Sequence, residues 1–291
     1  MGKVLVIGAT GKVGTEVVRE LQKTRVEARA LVRDRVRASS LEVAGVELAL
    51  GDLDQPESLS PAFNGIERVI ISTAASPQQQ RQHLAAIHAA KEAGVRHIVR
   101  VSVTGASALS PVMLSRLHAA SENDLEQSGL AWTHLRPRFF MQNTIGYAAP
   151  IAATGGKFFA CLGDLRLPMI DVRDIAAVAV RCVTAAGHEG KTYELTGPES
   201  LSFYDVAAKL TAASGRQITY VPVSAEAHFQ EMVRTGFPEW LARDLILFFS
   251  PNILRSETTT AVRDVIGRDP ILFDEFAREH AAIFRMAGAA T

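Results

Sequence analysis

Two periods alternate along the first half of the chain. Runs rich in apolar and β-branched residues lie at 4–7, 28–32, 46–50, 69–72, 98–102 and 132–135. Between several of them, at 13–23, 78–93 and 112–127, the pattern of apolar and polar positions is helical. The first pattern predicts strands and the second helices. The strand runs are apolar at consecutive positions, as expected of strands covered on both faces. Such alternation predicts a doubly wound α/β fold, a parallel sheet with helices on both sides. Gly65, Gly94 and Gly129 stand where helical stretches should stop.

Beyond Pro137 the rhythm changes. A glycine-bearing loop is expected over 154–163, followed by a segment at 168–171 and a helix over 175–186 with Asp174 as its N-cap. A strand at 192–195, a helix at 202–213 and a strand at 218–221 come next. From Ala225 the pattern is mostly helical, broken at Pro238, Pro251 and Pro270. The expected organisation is a nucleotide-binding domain over 1–153, its sheet completed by parts of 164–197. Residues 198–291 form a small, mainly helical C-terminal substrate or cap region.

Composition narrows the function classes. The 291 residues are 47% apolar and 21% charged, which excludes a disordered chain or a coiled coil as a global description. Lys+Arg and Asp+Glu both number 31, so no bulk basic charge favours nucleic acid or an anionic membrane. The longest apolar run, 175–180, stops at Arg181, far short of the roughly 20 residues that span a bilayer. The first strand begins at Lys3 with no secretory signal before it, and Cys161 and Cys182 are too few for a disulfide framework. A cytoplasmic protein is expected. The histidines and cysteines show no ligand spacing, so no metal is expected.

The strongest motif is Gly8-Ala9-Thr10-Gly11-Lys12-Val13-Gly14, directly after the first strand and opening a helix. Gly8 permits a tight turn, Gly11 lets backbone N–H groups approach a pyrophosphate, and Gly14 allows close helix packing. The helix N-terminus adds partial positive charge. Thr10, Lys12 and Val13 complete the predicted cradle. At the end of the second strand Arg33 suits the 2′-phosphate of NADP(H), which is expected in preference to NAD(H). A register slip of one would make Asp34 a ribose ligand instead. Asp52 and Leu53 are candidates for the adenine, or Asp52 is a turn residue. Ser72, Thr73 and Ala74 leave room for the cofactor backbone, and Ser102 ends the strand nearest the nicotinamide.

These residues resemble the short-chain dehydrogenase/reductase superfamily in its atypical NmrA-like branch. The marks are GATGKVG, the Arg33 position, Gly51-Asp52-Leu53, the segments 128–143 and 168–176, and Tyr193 to Ser202. Its nearest types are NADPH-dependent quinone oxidoreductases and triphenylmethane reductases. The resemblance implies a Rossmann-type domain, NADP(H) in the cleft, with Pro137 among its contacts, and a smaller C-terminal substrate domain. One departure is plain. Ordinary members carry Tyr-x-x-x-Lys on the helix before 128–143, where this chain has Leu114 and His118.

Without that tyrosine, reduction of an isolated ketone lacks its acid. A quinone becomes a hydroquinone anion, whose basicity is that of a phenolate with pKa about 10, and water can protonate it. The small-molecule hydride acceptor is therefore expected to be a quinone or similar conjugated compound. Ser102 and His118 are the candidate catalytic groups. His118 orients the ribose or donates a proton, or else is a polar residue paired locally with Glu122. Phe139, Phe140, Asn143 and Trp240 are candidate substrate contacts, with Phe237 and Phe248 as further lid candidates; aromatics at such spacing also serve as core. The competing reading is a non-catalytic NADP(H) sensor that acts on a protein partner. A monomer or homodimer is expected in either case.

Overall fold

In a computed structural model, which describes residues 2–43, 45–249, 253 and 255–285, the first five predicted strands form β1 (Lys3–Ile7), β2 (Ala28–Val32), β3 (Glu47–Leu50), β4 (Ile66–Ile71) and β5 (His97–Val101). The sixth, β6, runs over Ala131–Pro137. Between them lie α1 (Lys12–Lys23), α2 (Ser39–Val43), α3 (Ser60–Phe63), α4 (Gln79–Glu92) and α5 (Met113–Glu126). After β6 come α6 (Ala148–Ala153), β7 (Lys157–Ala160), α7 (Val172–Thr184) and β8 (Lys191–Leu195). Seven parallel strands form one sheet in the order β3-β2-β1-β4-β5-β6-β8. The fold is therefore the expected Rossmann-type α/β architecture.

The consecutive apolar residues of β1 explain the two layers. Val4 and Val6 enter the core beneath α1 and α7, with Val17, Leu21, Ile175 and Ala179. Leu5 and Ile7 enter the opposite core beneath α4, with Ile71, Ile87 and Ala90. A period of two thus fills both faces from one short run. The strand order reverses at β1, whose neighbours are β2 and β4. The crevice at the carboxyl ends of β1 and β4 is where an open α/β sheet takes its ligand.

The remaining elements are α8 (Phe203–Ser214), β9 (Thr219–Pro222), α9 (Ala225–Arg234), α10 (Glu239–Phe248), α11 (Ala261–Ile266), α12 (Phe273–Glu279) and α13 (Ala281–Arg285). β7, α8, β9, α12 and α13 supply a third core of aromatic residues, with Phe158, Phe203, Tyr220, Phe273, Phe276 and Phe284, whereas α11 packs on the core beneath α7 through Val262 and Val265. The expected loop over 154–163 holds a strand instead. β7 pairs in parallel with β9, and Phe158 and Ala160 point into the aromatic core. Pro251 lies outside the described residues.

The cap of α7 is also corrected. Asp171, not Asp174, is the N-cap, its carboxylate accepting from the Arg173 N–H at 2.8 Å. Asp174 sits in the first turn, fully buried, where it accepts from the Ile271 N–H at 2.8 Å and meets Arg268 at 2.7 Å. It ties the C-terminal segment to the sheet domain.

Candidate active site

The glycine loop has the geometry of an anion cradle. Gly8 has φ +82°, and a Cβ there would stand 2.1 Å from the Ser72 carbonyl. A Cβ on Gly14 would stand 2.1 Å from the Gly8 carbonyl. Both glycines are therefore required by the protein's own packing. Gly11 is different, because its Cβ would come no closer than 3.2 Å to protein. The space beside Gly11 is left to a ligand. Gly11 is also the N-cap of α1, makes no side-chain cap, and is followed by no acidic residue in the first turn. An uncapped helix start with unopposed partial positive charge fits a pyrophosphate.

A cleft of about 830 Å³ runs from this loop across the sheet edge, lined by Gly8, Thr10, Gly11, Arg33, Asp52, Leu53, Ser72, Thr73 and Ala74 among others. Val13 is buried beneath it, so only its main chain can serve a ligand. Arg33 is exposed on the cleft wall and has no ion pair among the described residues. Asp34 also lines the cleft, and one of its carboxylate oxygens accepts from the N–H groups of Val36 and Arg37 at 2.8 and 3.3 Å. This turn brings Arg37, which follows Arg33 and Arg35 in the sequence, onto the same wall, its Nε 3.6 Å from Asp34 Oδ2. Two guanidinium groups there suit a phosphate dianion better than a ribose diol. Asp52 makes the turn that was its alternative reading, accepting from the Asp54 N–H at 3.0 Å, and also lines the cleft.

A buried relay runs from Thr73 in the cleft towards Ser102. The Arg100 side chain is fully buried. Its Nε donates to His83 Nδ1 at 3.0 Å and its Nη2 to His118 Nδ1 at 2.9 Å. Both imidazoles accept through Nδ1, which puts their protons on Nε2. His83 Nε2 then donates to Thr73 Oγ1 at 2.7 Å. Burial and the Arg100 cation hold both histidines well below their usual pKa, so both are neutral. Burial pushes Arg100 itself down to about 10, still charged at neutral pH. Ser102 Oγ lies 3.4 Å from His118 Nδ1. Glu122 is not the partner of His118; it binds Arg136 through two bonds of 3.0 and 2.6 Å. The sequence reading missed His83 and Arg100, which lie inside regular elements and carry no motif.

Beyond Ser102 is a smaller cavity of about 160 Å³. Pro137, Phe139, Phe140 and Asn143 line it, as does Leu114, the residue standing where the resemblance places a tyrosine. The lid side chains at the cavity are Asp244, Leu245, Phe248 and Phe249. Trp240 stands half-buried in the first turn of α10, and Phe237 is exposed just before it. Asp244 was not anticipated. Its carboxylate accepts from the N–H groups of Met113 and Leu114 at 3.0 and 2.6 Å, capping α5 from the lid. Lys12 reaches from the glycine loop to this cavity, donating to Asn143 Oδ1 at 2.8 Å. Among the described residues no group of histidine, cysteine and acidic side chains could hold a metal, and no helix is long and apolar enough to cross a membrane.

An NAD(P)H azoreductase of Xenophilus azovorans is 42% identical over 287 residues, covering 98% of this chain and all of that protein. Quinone oxidoreductase 2 of Escherichia coli (strain K12) is 35% identical over 243 residues, covering 82% of this chain and 84% of the relative. The structure of the NADPH-dependent quinone oxidoreductase of Escherichia coli with NADPH superposes with a TM-score of 0.83 at 30% identity, covering 95% of this chain and 99% of the other. The Citrobacter sp. triphenylmethane reductase with NADP(H) gives a TM-score of 0.83 at 28% identity, covering 96% and 99%. The model of the NmrA-like family matches residues 1–252. This chain is a member of the NmrA-like family.

Proposed function

We propose that the protein is an NADPH-dependent reductase that delivers hydride to a quinone, an azo compound or a similar conjugated acceptor. NADPH, bound along the glycine loop, supplies the hydride. Its pyrophosphate lies at Gly11 and its 2′-phosphate between Arg33 and Arg37. Asp52 and Leu53 flank the adenine, and Ser72 to Ala74 the cofactor backbone. Ser102, His118 and Pro137 stand at the nicotinamide end. Lys12 and Asn143 tie the phosphate loop to the acceptor cavity. There Phe139 and Phe140 pack against the acceptor and the lid keeps water out. Trp240 steadies the lid helix. The sheet domain, residues 1–153 with parts of 164–197, holds the cofactor, and residues 198–291 provide the cap. The two free thiols, Cys161 and Cys182, suit the reducing cytoplasm. The protein acts as a monomer or homodimer.

One observation carries this reading: the acceptor cavity presents Leu114 where an isolated ketone would need an acid. Leu114 lines it, and the nearby His118 imidazole is held neutral by burial and by Arg100. Acceptors whose reduced forms are stabilised by delocalisation need no such acid. The names of the relatives point the same way, since azo compounds, quinones and triphenylmethane dyes are all conjugated.

Steady-state NADPH consumption against quinones, azo dyes, triarylmethane dyes and simple ketones tests the proposal. Turnover with conjugated acceptors and none with simple ketones is expected. Tight NADPH binding without turnover of any acceptor would overturn the reductase reading and favour a dinucleotide sensor acting on a protein partner.

A further inference from the structure

The guanidinium of Arg138 stands unpaired in the wall of the acceptor cavity. The residue follows β6, its N–H held by the Leu195 carbonyl at 2.9 Å. Its side chain is 9% exposed and lines the acceptor cavity. Its Nε is buried without a hydrogen-bond partner. Among the described residues the side chain makes no ion pair and no hydrogen bond. Arg136, two residues earlier, is satisfied by Glu122, and Arg100 is shared between two imidazoles. The carboxylates of Glu194 and Glu257 lie near enough to favour the Arg138 charge, and Arg255 opposes it. None of them pairs with it. Glu194 is engaged by Thr104 at 3.0 Å and by Arg136 at 3.7 Å.

A buried guanidinium N–H without a partner is destabilising, and a guanidinium cannot escape by losing its proton. Such a cost is retained where a ligand supplies the opposite charge. The size of the cavity says which part of the ligand does so. At about 160 Å³ it is close to the roughly 150 Å³ that encloses one benzene ring. The charged atom that meets Arg138 therefore belongs to the reacting ring, not to a remote substituent.

We propose that Arg138 binds the acceptor oxygen on which negative charge develops, and so selects acceptors that become anionic on taking hydride. This rests on the reductase reading and adds the charge class of the substrate. In the balanced step, the C4–H bond of the dihydronicotinamide breaks and its electron pair passes with the hydrogen to one carbonyl oxygen of the quinone, forming an O–H bond and sending the ring's displaced pair to the other oxygen. The quinone is reduced by two electrons, the cofactor is oxidised, and the displaced pair rests on that other oxygen as a phenolate. Arg138 donates to that oxygen until water supplies the proton. A cationic triarylmethane acceptor takes hydride at carbon and ends neutral, so it develops no charge for Arg138 to meet.

The test compares wild type with Arg138→Met and Arg138→Lys, using menadione as the neutral quinone and crystal violet as the cationic acceptor. Arg138→Met should lower the ratio of menadione to crystal violet turnover by about 10²-fold, as expected when an oxyanion donor is removed. The loss should fall on kcat, with the NADPH dissociation constant unchanged. Arg138→Lys should retain part of the ratio. In the NADP⁺-loaded protein, para-nitrophenol bound to wild type should ionise at lower pH than when bound to Arg138→Met. Parallel loss with both acceptors, a change confined to KM, or identical nitrophenol titrations would each overturn the proposal. If wild type reduces neither acceptor, the reductase reading fails, and the nitrophenol titration still decides the role of Arg138. If Arg138→Met does not fold, as read by thermal melting, the lysine variant decides: it should keep the nitrophenol shift, and losing it overturns the proposal.

Discussion

Arg100 donates a 2.9 Å hydrogen bond to His118 Nδ1, so a buried cation sits directly against this imidazole. The contact decides which role His118 can play. A ring whose Nδ1 already accepts from a guanidinium resists a second proton, and its acid form is scarce at neutral pH. His118 is left as an Nε2–H donor, which suits the proposed role of orienting a ribose hydroxyl.

His118→Gln should therefore keep turnover within about tenfold of wild type, because an amide also donates to a hydroxyl. Loss of a true general acid would cost about 10²–10⁴-fold. Stopped-flow measurement of hydride transfer separates the two. A rate that falls as pH rises through the ordinary histidine range would contradict the orienting role.

Gly11 and Gly14 should fail in different ways. Gly11→Val leaves the protein room to fold but fills the phosphate path, so NADPH affinity collapses with little change in melting temperature. Gly14→Ala drives a methyl against the Gly8 carbonyl and should destabilise the fold itself. Calorimetric titration and thermal melting of both variants check the contrast.

Arg33→Ala should weaken NADPH by roughly 10-fold or more through loss of one charge-assisted contact, and leave NADH almost unchanged. Arg37→Ala should act in the same sense. Equal losses for both cofactors would mean that these arginines shape the loop and do not read the 2′-phosphate.

Acid should destabilise the protein through its buried imidazoles. Burial holds His83 and His118 well below their usual pKa and pushes His134 down to about 4. The unfolded chain protonates these rings first, near pH 6.5, as a free histidine does. Their contribution is complete above that pH and is lost as pH falls from about 6.5 towards about 4. Urea midpoints should drop steadily over this window, and a flat profile would argue against buried neutral histidines.

Asp244→Ala should loosen the lid. The change leaves the Met113 and Leu114 N–H groups without their cap, at a cost of about 1–2 kcal/mol by analogy with other helix caps. Hydrogen exchange should rise at the start of α5 and through α10 together, with NADPH affinity preserved. Exchange confined to one of the two helices would show that the carboxylate does not join them.

The parts of this site that were legible in the sequence are those set by local chemistry. Gly8, Gly11 and Gly14 have a fixed spacing because one strand, one turn and one helix impose it. The central strands of the sheet announced themselves because burial on both faces demands consecutive apolar residues, as at Val4–Ile7 and Val69–Ile71. β7 did not, because four residues after a glycine pair read equally well as loop, and only pairing with β9 makes them a strand. Asp171 and Asp174 are equivalent candidates for a cap until the chain's path into α7 is known. Arg136 and Arg138 look alike in the run Leu-Arg-Pro-Arg; they differ because Glu122 pairs with one and not the other. His83, Arg100 and Asp244 act through partners on other elements, so no local pattern marks them.

The two ligand spaces also differ in when they come into being. The cofactor cleft is lined between Ile7 and Gln82, whereas the acceptor cavity draws on residues from Ser102 to Phe249. A chain leaving the ribosome has therefore exposed every lining residue of the cleft while the roof of the acceptor cavity is still unmade. Domains generally assemble from the N-terminus during synthesis, and a ligand that binds only the folded form stabilises it by mass action. Abundant dinucleotide in the cell would then act as a folding aid for the nascent sheet domain. A compartment starved of it should yield less folded protein from the same message, before any acceptor is encountered.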